Sequence, residues 1–267
     1  MGRMPEGHTL HRLARDHNAA FARRPVSVTS PQGRFAAAAA LVDGTVLRKV
    51  DAHGKHLFYR FEGDRLIHVH LGLFGAFRPF IPPAPEPDGR QIRMRLEGED
   101  AGTDLSGPTA CELLTPQEMK AMISRLGPDP LRKDADPERA WAAIRRRKGP
   151  IGGALMDQGV LSGVGNVYRA EVLFVHGIHP ETPCPQITRE QFDSMWATLV
   201  TWMRHGVKDG VIITVDPAEV GRARSRIKKG EALHVYKQEH CRRCGHPVHR
   251  WDLAGRWAYA CEGCQPR

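Results

Sequence analysis

Four cysteines near the C-terminal end constrain this chain more than any other feature. Cys241-x2-Cys244 and Cys261-x2-Cys264 are separated by the sixteen residues 245–260. Each CxxC turn aims two sulfurs at one ion, and four thiolates meet the tetrahedral preference of zinc. The intervening WDLAGRWAYA has the length and central Gly255 of a β-hairpin joining two knuckles. One structural Zn2+ is expected, because four sulfurs leave no open position for a catalytic water. Two disulfides are the competing reading, disfavoured where thiols are kept reduced. The start MGRMPEGHT carries no hydrophobic signal segment, and no run of about 18 apolar residues occurs, so a soluble cytoplasmic protein with no membrane partner is expected. Cys111 and Cys184 fall in no recognisable motif and are read as ordinary reduced thiols. His240, His246 and His249 lie beside an already complete ligand set and are read as surface residues.

Composition then narrows the partner. Lysine and arginine number 39 against 30 acids, a net charge of +9, which favours a polyanion, nucleic acid before an anionic membrane surface. At 267 residues and 41% hydrophobic content the chain can bury two cores. From Pro5 onward Leu10, Leu13, Ala14 and Phe21 recur at near-helical spacing. GTVLRKV, KHLFYRF, RLIHVHL and RQIRMRL read as strands, and the proline-rich PFIPPAPEPDG, Pro79 to Gly89, as a surface loop between strands. After Leu126–Pro137 the pattern turns helical: ERAWAAIRRR, PIGGALMDQ, NVYRAEVLFVH, and a long segment to His205 opened by a capping box from Thr188 to Gln191. Three domains are expected, at 5–125, 126–230 and 231–267. No internal repeat or coiled-coil heptad is evident.

Separated motifs converge on one family. PEGHTLHR from Pro5, GKHL from Gly54, HLGLFG from His70, LGPDPL from Leu126, MDQGVLSGVGNVYRAEVLF from Met156 and AGRWAYACEGCQ from Ala254 together resemble the formamidopyrimidine-DNA glycosylase and endonuclease VIII family, most of all its actinobacterial endonuclease VIII-like branch. The resemblance spans nearly the whole chain in family order. It implies an α+β fold: an N-terminal helix plus β-sandwich, then a helix-two-turn-helix domain, with a C-terminal zinc-finger β-hairpin and DNA in the cleft between them. It also implies a monomeric enzyme of base excision repair that acts on damaged DNA, a DNA glycosylase and abasic-site lyase.

The same resemblance assigns roles to single residues. Pro5, as a free terminal amine, would attack the sugar carbon that bears the altered base. An α-amine ionises at about 7.7–8.0 against about 10.4 for lysine, so it is far more often neutral near pH 7. Glu6 would handle protons at the sugar, and Lys55 would be a catalytic or phosphate-contacting residue. Asn166, in GVGN before a helix, would hold a phosphate, with an N-cap as its plainer role. Arg256, at the hairpin tip, would present its guanidinium fork to the same stretch of backbone. Leu73 and Phe74 would fill the stack vacated by an extruded nucleotide, with packing into the core as the rival reading.

Three departures qualify this picture. The stretch TDLSGPTACEL lacks the arginine and aromatic pair expected in a formamidopyrimidine-type enzyme, which favours oxidised pyrimidines as substrates. Gly72 stands where the enteric endonuclease VIII pattern has glutamine, and the KQEH link between Tyr236 and Cys241 is short. Met1, Gly2, Arg3 and Met4 precede Pro5, so the mechanism expects translation to start at Met4. A noncatalytic damaged-DNA binder is the alternative if Pro5 is not the mature terminus. A generic zinc-ribbon protein using RARSRIKK, Arg222 to Lys229, as a phosphate patch would leave the PEGHT and GVGN matches unexplained.

Overall fold

The spacing of Leu10, Ala14 and Phe21 produces helix α1 (Gly7–Phe21), which buries all three on one side while Leu13 packs at the edge. The computed structural model describes residues 5–86 and 91–267; Met1–Met4, with the expected start at Met4, and Pro87–Gly89 of the expected loop lie outside the described residues. After α1 come β1 (Arg24–Pro25), β2 (Ser27–Thr29), α2 (Ala36–Ala40), β3 (Val46–His53), β4 (His56–Phe61), β5 (Leu66–His70), β6 (Ala76–Phe80), β7 (Ile92–Glu97), β8 (Gly102–Ser106), β9 (Ala110–Leu114) and α3 (Pro116–Ser124). They form two antiparallel sheets, ordered β1-β3-β4-β5-β9 and β2-β7-β8-β6.

One apolar core lies between these sheets. Val50, Leu57, Tyr59, Ile67 and Val69 from the first meet Val28, Met94, Leu96 and Leu105 from the second, and α1 closes the edge. Each such side chain contributes about 1.5–3 kcal/mol of burial. Strand periodicity then fixes what faces away: with Leu57, Tyr59 and Phe61 inward on β4, His56, Phe58 and Arg60 take the opposite face. The expected loop starts later than the sequence reading has it, since Pro79 and Phe80 pair with Thr103 and Gly102 at the end of β6. That strand is the sheet edge, where a residue without an N–H is tolerated.

A second unit begins at Leu126, the first ending at Arg125. It contains α4 (Pro137–Arg145), α5 (Ile151–Ala154), α6 (Asn166–Val175) and α7 (Arg189–Asp209), the last opened by the expected Thr188–Gln191 capping box and closed by Gly210 at φ 72°. Only the first turn of PIGGALMDQ is helical. Beyond it the Gln158 side chain bonds the carbonyls of Met156 and Val164 and the N–H of Gly163, so the glutamine builds the turn that delivers α6. Helix α6 is buried on nearly every side. Strands β10 (His249–Leu253) and β11 (Arg256–Ala260) form the expected hairpin, with Ala254 and Gly255 at φ 55° and 73°, the handedness that matches strand twist. Val167, Ala170 and Phe174 of α6 pack with Val235, Tyr236 and Tyr259 beneath it. Among the described residues, no helix is long and apolar enough to cross a membrane.

Candidate active site and metal centre

Helix α1 starts at the residues the sequence singles out. Pro5 is half-buried and Glu6 is fully buried at the N-cap position, its backbone oxygen accepting from the Thr9 N–H at 2.8 Å. The Glu6 side chain makes no capping hydrogen bond to the helix. Lys55 occupies the two-residue turn between β3 and β4, one residue before the strand start where sequence alone puts it. His53 and His56 pair across that turn, and Gly54 takes φ 57°, which favours glycine.

Beside Lys55 lies a histidine cluster that the sequence reading passes over. His56 Nδ1 is 2.9 Å from His68 Nε2, His68 Nδ1 is 2.8 Å from Glu112 Oε1, and His70 Nδ1 accepts from the Gly72 N–H at 3.1 Å. Burial, then the neighbouring His68, His70, His53 and Lys55, push His56 down to about 3. Burial also lowers His68 and His70. The signal was His56 opening HLFYRF and the alternating His68 and His70 of RLIHVHL, since every second residue on a strand shares one face.

The β5–β6 loop projects its apolar residues. Leu73 is 52% and Phe74 87% exposed, which overturns the core-packing reading of both. The Gly75 N–H donates to the Leu71 carbonyl at 2.9 Å, closing the loop. Gly72 sits at φ 65°, and a Cβ there would lie 1.8 Å from Thr109 Oγ1. A glutamine here, as in the enteric pattern, would have to push the Thr109 hydroxyl aside and take a left-handed backbone, so this loop conformation disfavours it. The β8–β9 turn is the bare Gly107-Pro108-Thr109, with no arginine or aromatic side chain.

In the second unit Asn166 is not the N-cap. Gly165 is, and Asn166 is the first helical residue, 4% exposed. Its Nδ2 donates to the Trp257 carbonyl at 3.0 Å, and its Oδ1 accepts from Arg169. Arg169, absent from the sequence candidates, is 1% exposed and donates through Nη2 to the same carbonyl at 2.8 Å. Together they hold β11 one residue beyond Arg256, which is exposed.

The four cysteines converge. Their sulfurs all lie within 4.8 Å of one another, with 3.8 Å between Cys241 and Cys264, 3.3 Å between Cys244 and Cys261, and 3.5 Å between Cys244 and Cys264. A tetrahedral ion with sulfur bonds of about 2.3 Å needs sulfurs about 3.8 Å apart. All six cysteines are free, so the set fits a metal ion rather than two disulfides.

Glu171 of α6 fixes the segment leading to this centre. Fully buried, it accepts from the backbone N–H groups of His234 (2.7 Å), Val235 (2.9 Å) and Tyr236 (2.8 Å), and from the Thr214 hydroxyl (2.5 Å). Burial alone would raise its carboxyl, but the bonds from His234 and Thr214 hold it below the ordinary value. Because the folded state favours the charged form, its stabilisation is complete above about pH 4.3 and is lost as pH falls through the depressed folded value. Glu171→Ala is expected to cost about 3–5 kcal/mol in denaturant melts at pH 7, since it strands buried donors, and to flatten the acid limb of stability. A cost under about 1 kcal/mol would show that the donors find other partners.

Comparison with known proteins completes the picture. Residues 4–106 match the formamidopyrimidine-DNA glycosylase N-terminal domain, and residues 126–216 the formamidopyrimidine-DNA glycosylase H2TH domain. The chain is 48% identical over 268 residues to endonuclease 8 1 of Mycobacterium tuberculosis, covering 98% of this chain and 100% of that protein. It is 30% identical over 253 residues to the formamidopyrimidine-DNA glycosylase of Salinispora arenicola, covering 92% and 87% respectively. In fold it is similar to the Lactococcus lactis Fpg crystallised with abasic-site DNA, with a TM-score of 0.81 at 21% identity over 98% of this chain and 100% of that one.

Proposed function

The chain belongs to the formamidopyrimidine-DNA glycosylase and endonuclease VIII family, and on that premise we propose that it excises oxidised pyrimidines through a Schiff base on Pro5. It is a DNA glycosylase and abasic-site lyase of base excision repair, and damaged DNA is its partner. With Pro5 terminal, the neutral amine attacks C1′, the base departs, and an iminium links nitrogen to C1′. Glu6 protonates the ring oxygen as the sugar opens, and Lys55 contacts the phosphate beside it. Leu73 and Phe74, exposed on their closed loop, fill the stack left by the extruded nucleotide.

The observation that carries this reading is the double hydrogen bond from Asn166 and Arg169 to the Trp257 carbonyl. It joins the N-terminus of α6 to the strand bearing Arg256. A helix N-terminus beside an exposed guanidinium is what a DNA phosphate requires. The ion held by Cys241, Cys244, Cys261 and Cys264 is zinc and keeps the hairpin in shape. We assign catalysis to residues 5–125, the helix-two-turn-helix grip to 126–230 and the zinc finger to 231–267, in a monomer working on DNA in the bacterial cytoplasm.

An incision panel tests the substrate range. Oxidised pyrimidines and abasic sites are expected to be cut faster than 8-oxoguanine opposite cytosine, because the β8–β9 turn carries no arginine or aromatic group. Faster cutting of 8-oxoguanine in duplex would reverse the assignment. In the same panel Leu73→Ala should slow duplex excision about tenfold and single-strand cleavage little, since only a duplex has a stack to refill. Equal losses would mean that Leu73 is not a wedge.

A further inference from the structure

The mechanism so far leaves unused a hydrogen-bonded chain on the face of the five-stranded sheet opposite the core. Register aligns Phe58, His68 and Glu112 in one cross-strand row and His56, His70 and Ala110 in the next. Glu112 on β9 bonds His68 on β5, and His68 bonds His56 on β4. A carboxylate only accepts, so it fixes a proton on His68 Nδ1. The neutral His68 ring then offers Nε2 as an acceptor, and His56 must donate to it from Nδ1. His56 is left with Nε2 as a bare, proton-accepting nitrogen. The middle of this chain is buried, His68 being 2% exposed, while the Glu112 side chain at its far end is 50% exposed. The near end adjoins Lys55 in the β3–β4 turn.

We infer that His56 is the general base of the strand-cleavage step, with His68 and Glu112 as positioning residues that set its tautomer and carry the proton to solvent. The inference rests on the Pro5 reading. In the iminium between the Pro5 nitrogen and C1′, the C2′–H bond is acidified. His56 Nε2 takes that proton, the C–H electron pair becomes the C1′=C2′ bond of an enamine, and the nitrogen regains its lone pair. The lone pair then restores the iminium, the C1′=C2′ pair moves to C2′=C3′, and the C3′–O bond breaks with its electrons leaving on the phosphate. Meanwhile the Nδ1 proton of His56 passes to His68 Nε2, and that of His68 to Glu112, which exchanges it with water. Both rings end neutral, so no imidazolium is stranded in a dry site. His56 is held neutral near pH 7 first by burial and then by its crowding with the neighbouring imidazoles and Lys55. A modest base suffices where an adjacent cation or polarised bond activates the carbon acid.

The test uses full-length protein with Pro5 terminal and DNA carrying a preformed abasic site, in single turnover. His56→Ala is expected to cleave about 100-fold more slowly and Glu112→Gln about tenfold, with borohydride trapping of the Schiff base falling less than about threefold in both. Glu112→Gln keeps an acceptor for His68 and loses only the charge, so it reads the relay even if His56→Ala fails to fold. Added imidazole should restore cleavage to His56→Ala and not to Glu112→Gln. Cleavage within about threefold of the parent in both variants, or cleavage and trapping falling in step, would overturn the assignment. Absence of trapping by the parent would remove the Pro5 reading and this inference with it. Normal trapping with unimpaired cleavage in His56→Ala removes the base alone.

Discussion

Borohydride in the presence of abasic DNA is expected to trap a covalent complex only when Pro5 is the terminal residue. With Met1–Met4 attached, the Pro5 nitrogen is a tertiary amide and has no lone pair to give. Removal of Met1 alone exposes Gly2, whose amine sits three residues away, up to roughly 10 Å of extended chain. A lysine cannot substitute easily: near pH 7 its neutral fraction is a few hundredfold smaller than that of an α-amine. Start at Met4 and loss of that methionine give a secondary amine next to the buried Glu6. The measurement is to express both forms, read each mature terminus by mass spectrometry and compare trapping, where a difference of at least about 100-fold is expected. Equal trapping of an intact Met1 or Gly2 form, abolished by Lys55→Ala and not by Pro5→Gly, would move the nucleophile to lysine. An extended form that binds damaged DNA without trapping is the noncatalytic binder.

Removing the metal should have the second largest effect. Structural zinc sites of this kind are worth about 10–16 kcal/mol at neutral pH, more than the small cluster of Tyr236, Val235 and Tyr259 can replace. Chelation or Cys261→Ser is expected to unfold the hairpin and lower DNA affinity by at least about 100-fold, because Arg256 loses its support. Arg256→Ala should lose about 10–100-fold in affinity while retaining one zinc per chain, since a charged hydrogen bond is worth about 1.5–3 kcal/mol. Elemental analysis of protein purified without added metal, paired with binding titrations at fixed salt, separates the two. Zinc content near zero in well-folded, active protein would refute the structural role.

What sequence revealed follows the range over which each signal acts. The hairpin was legible because two CxxC pairs and Ala254-Gly255 are local instructions, and α7 because its capping box is a four-residue pattern. His56 in β4 and the alternating His68 and His70 of β5 were equally visible, yet nothing local says that Glu112, more than 40 residues on, completes the chain. Arg169 and Glu171 were hidden for the same reason, since their partners lie on segments that only the fold brings to α6. Asn166 shows a different limit. GVGN marks a helix start, but whether Gly165 or Asn166 caps it depends on the Trp257 carbonyl, which no pattern in the sequence foretells. The β5–β6 loop was ambiguous between burial and display, and only the fold shows Leu73 and Phe74 exposed.

The attachment of the hairpin tip has a practical use. Asn166 and Arg169 grasp a carbonyl oxygen, an atom every amino acid carries, and leave the half-exposed indole of Trp257 out of the bond. Position 257 can therefore accept an unnatural side chain, such as a photoreactive or fluorescent group, without surrendering the anchor. A reporter placed there sits one residue from Arg256 and would turn the proposed contact of that guanidinium with DNA into an optical signal.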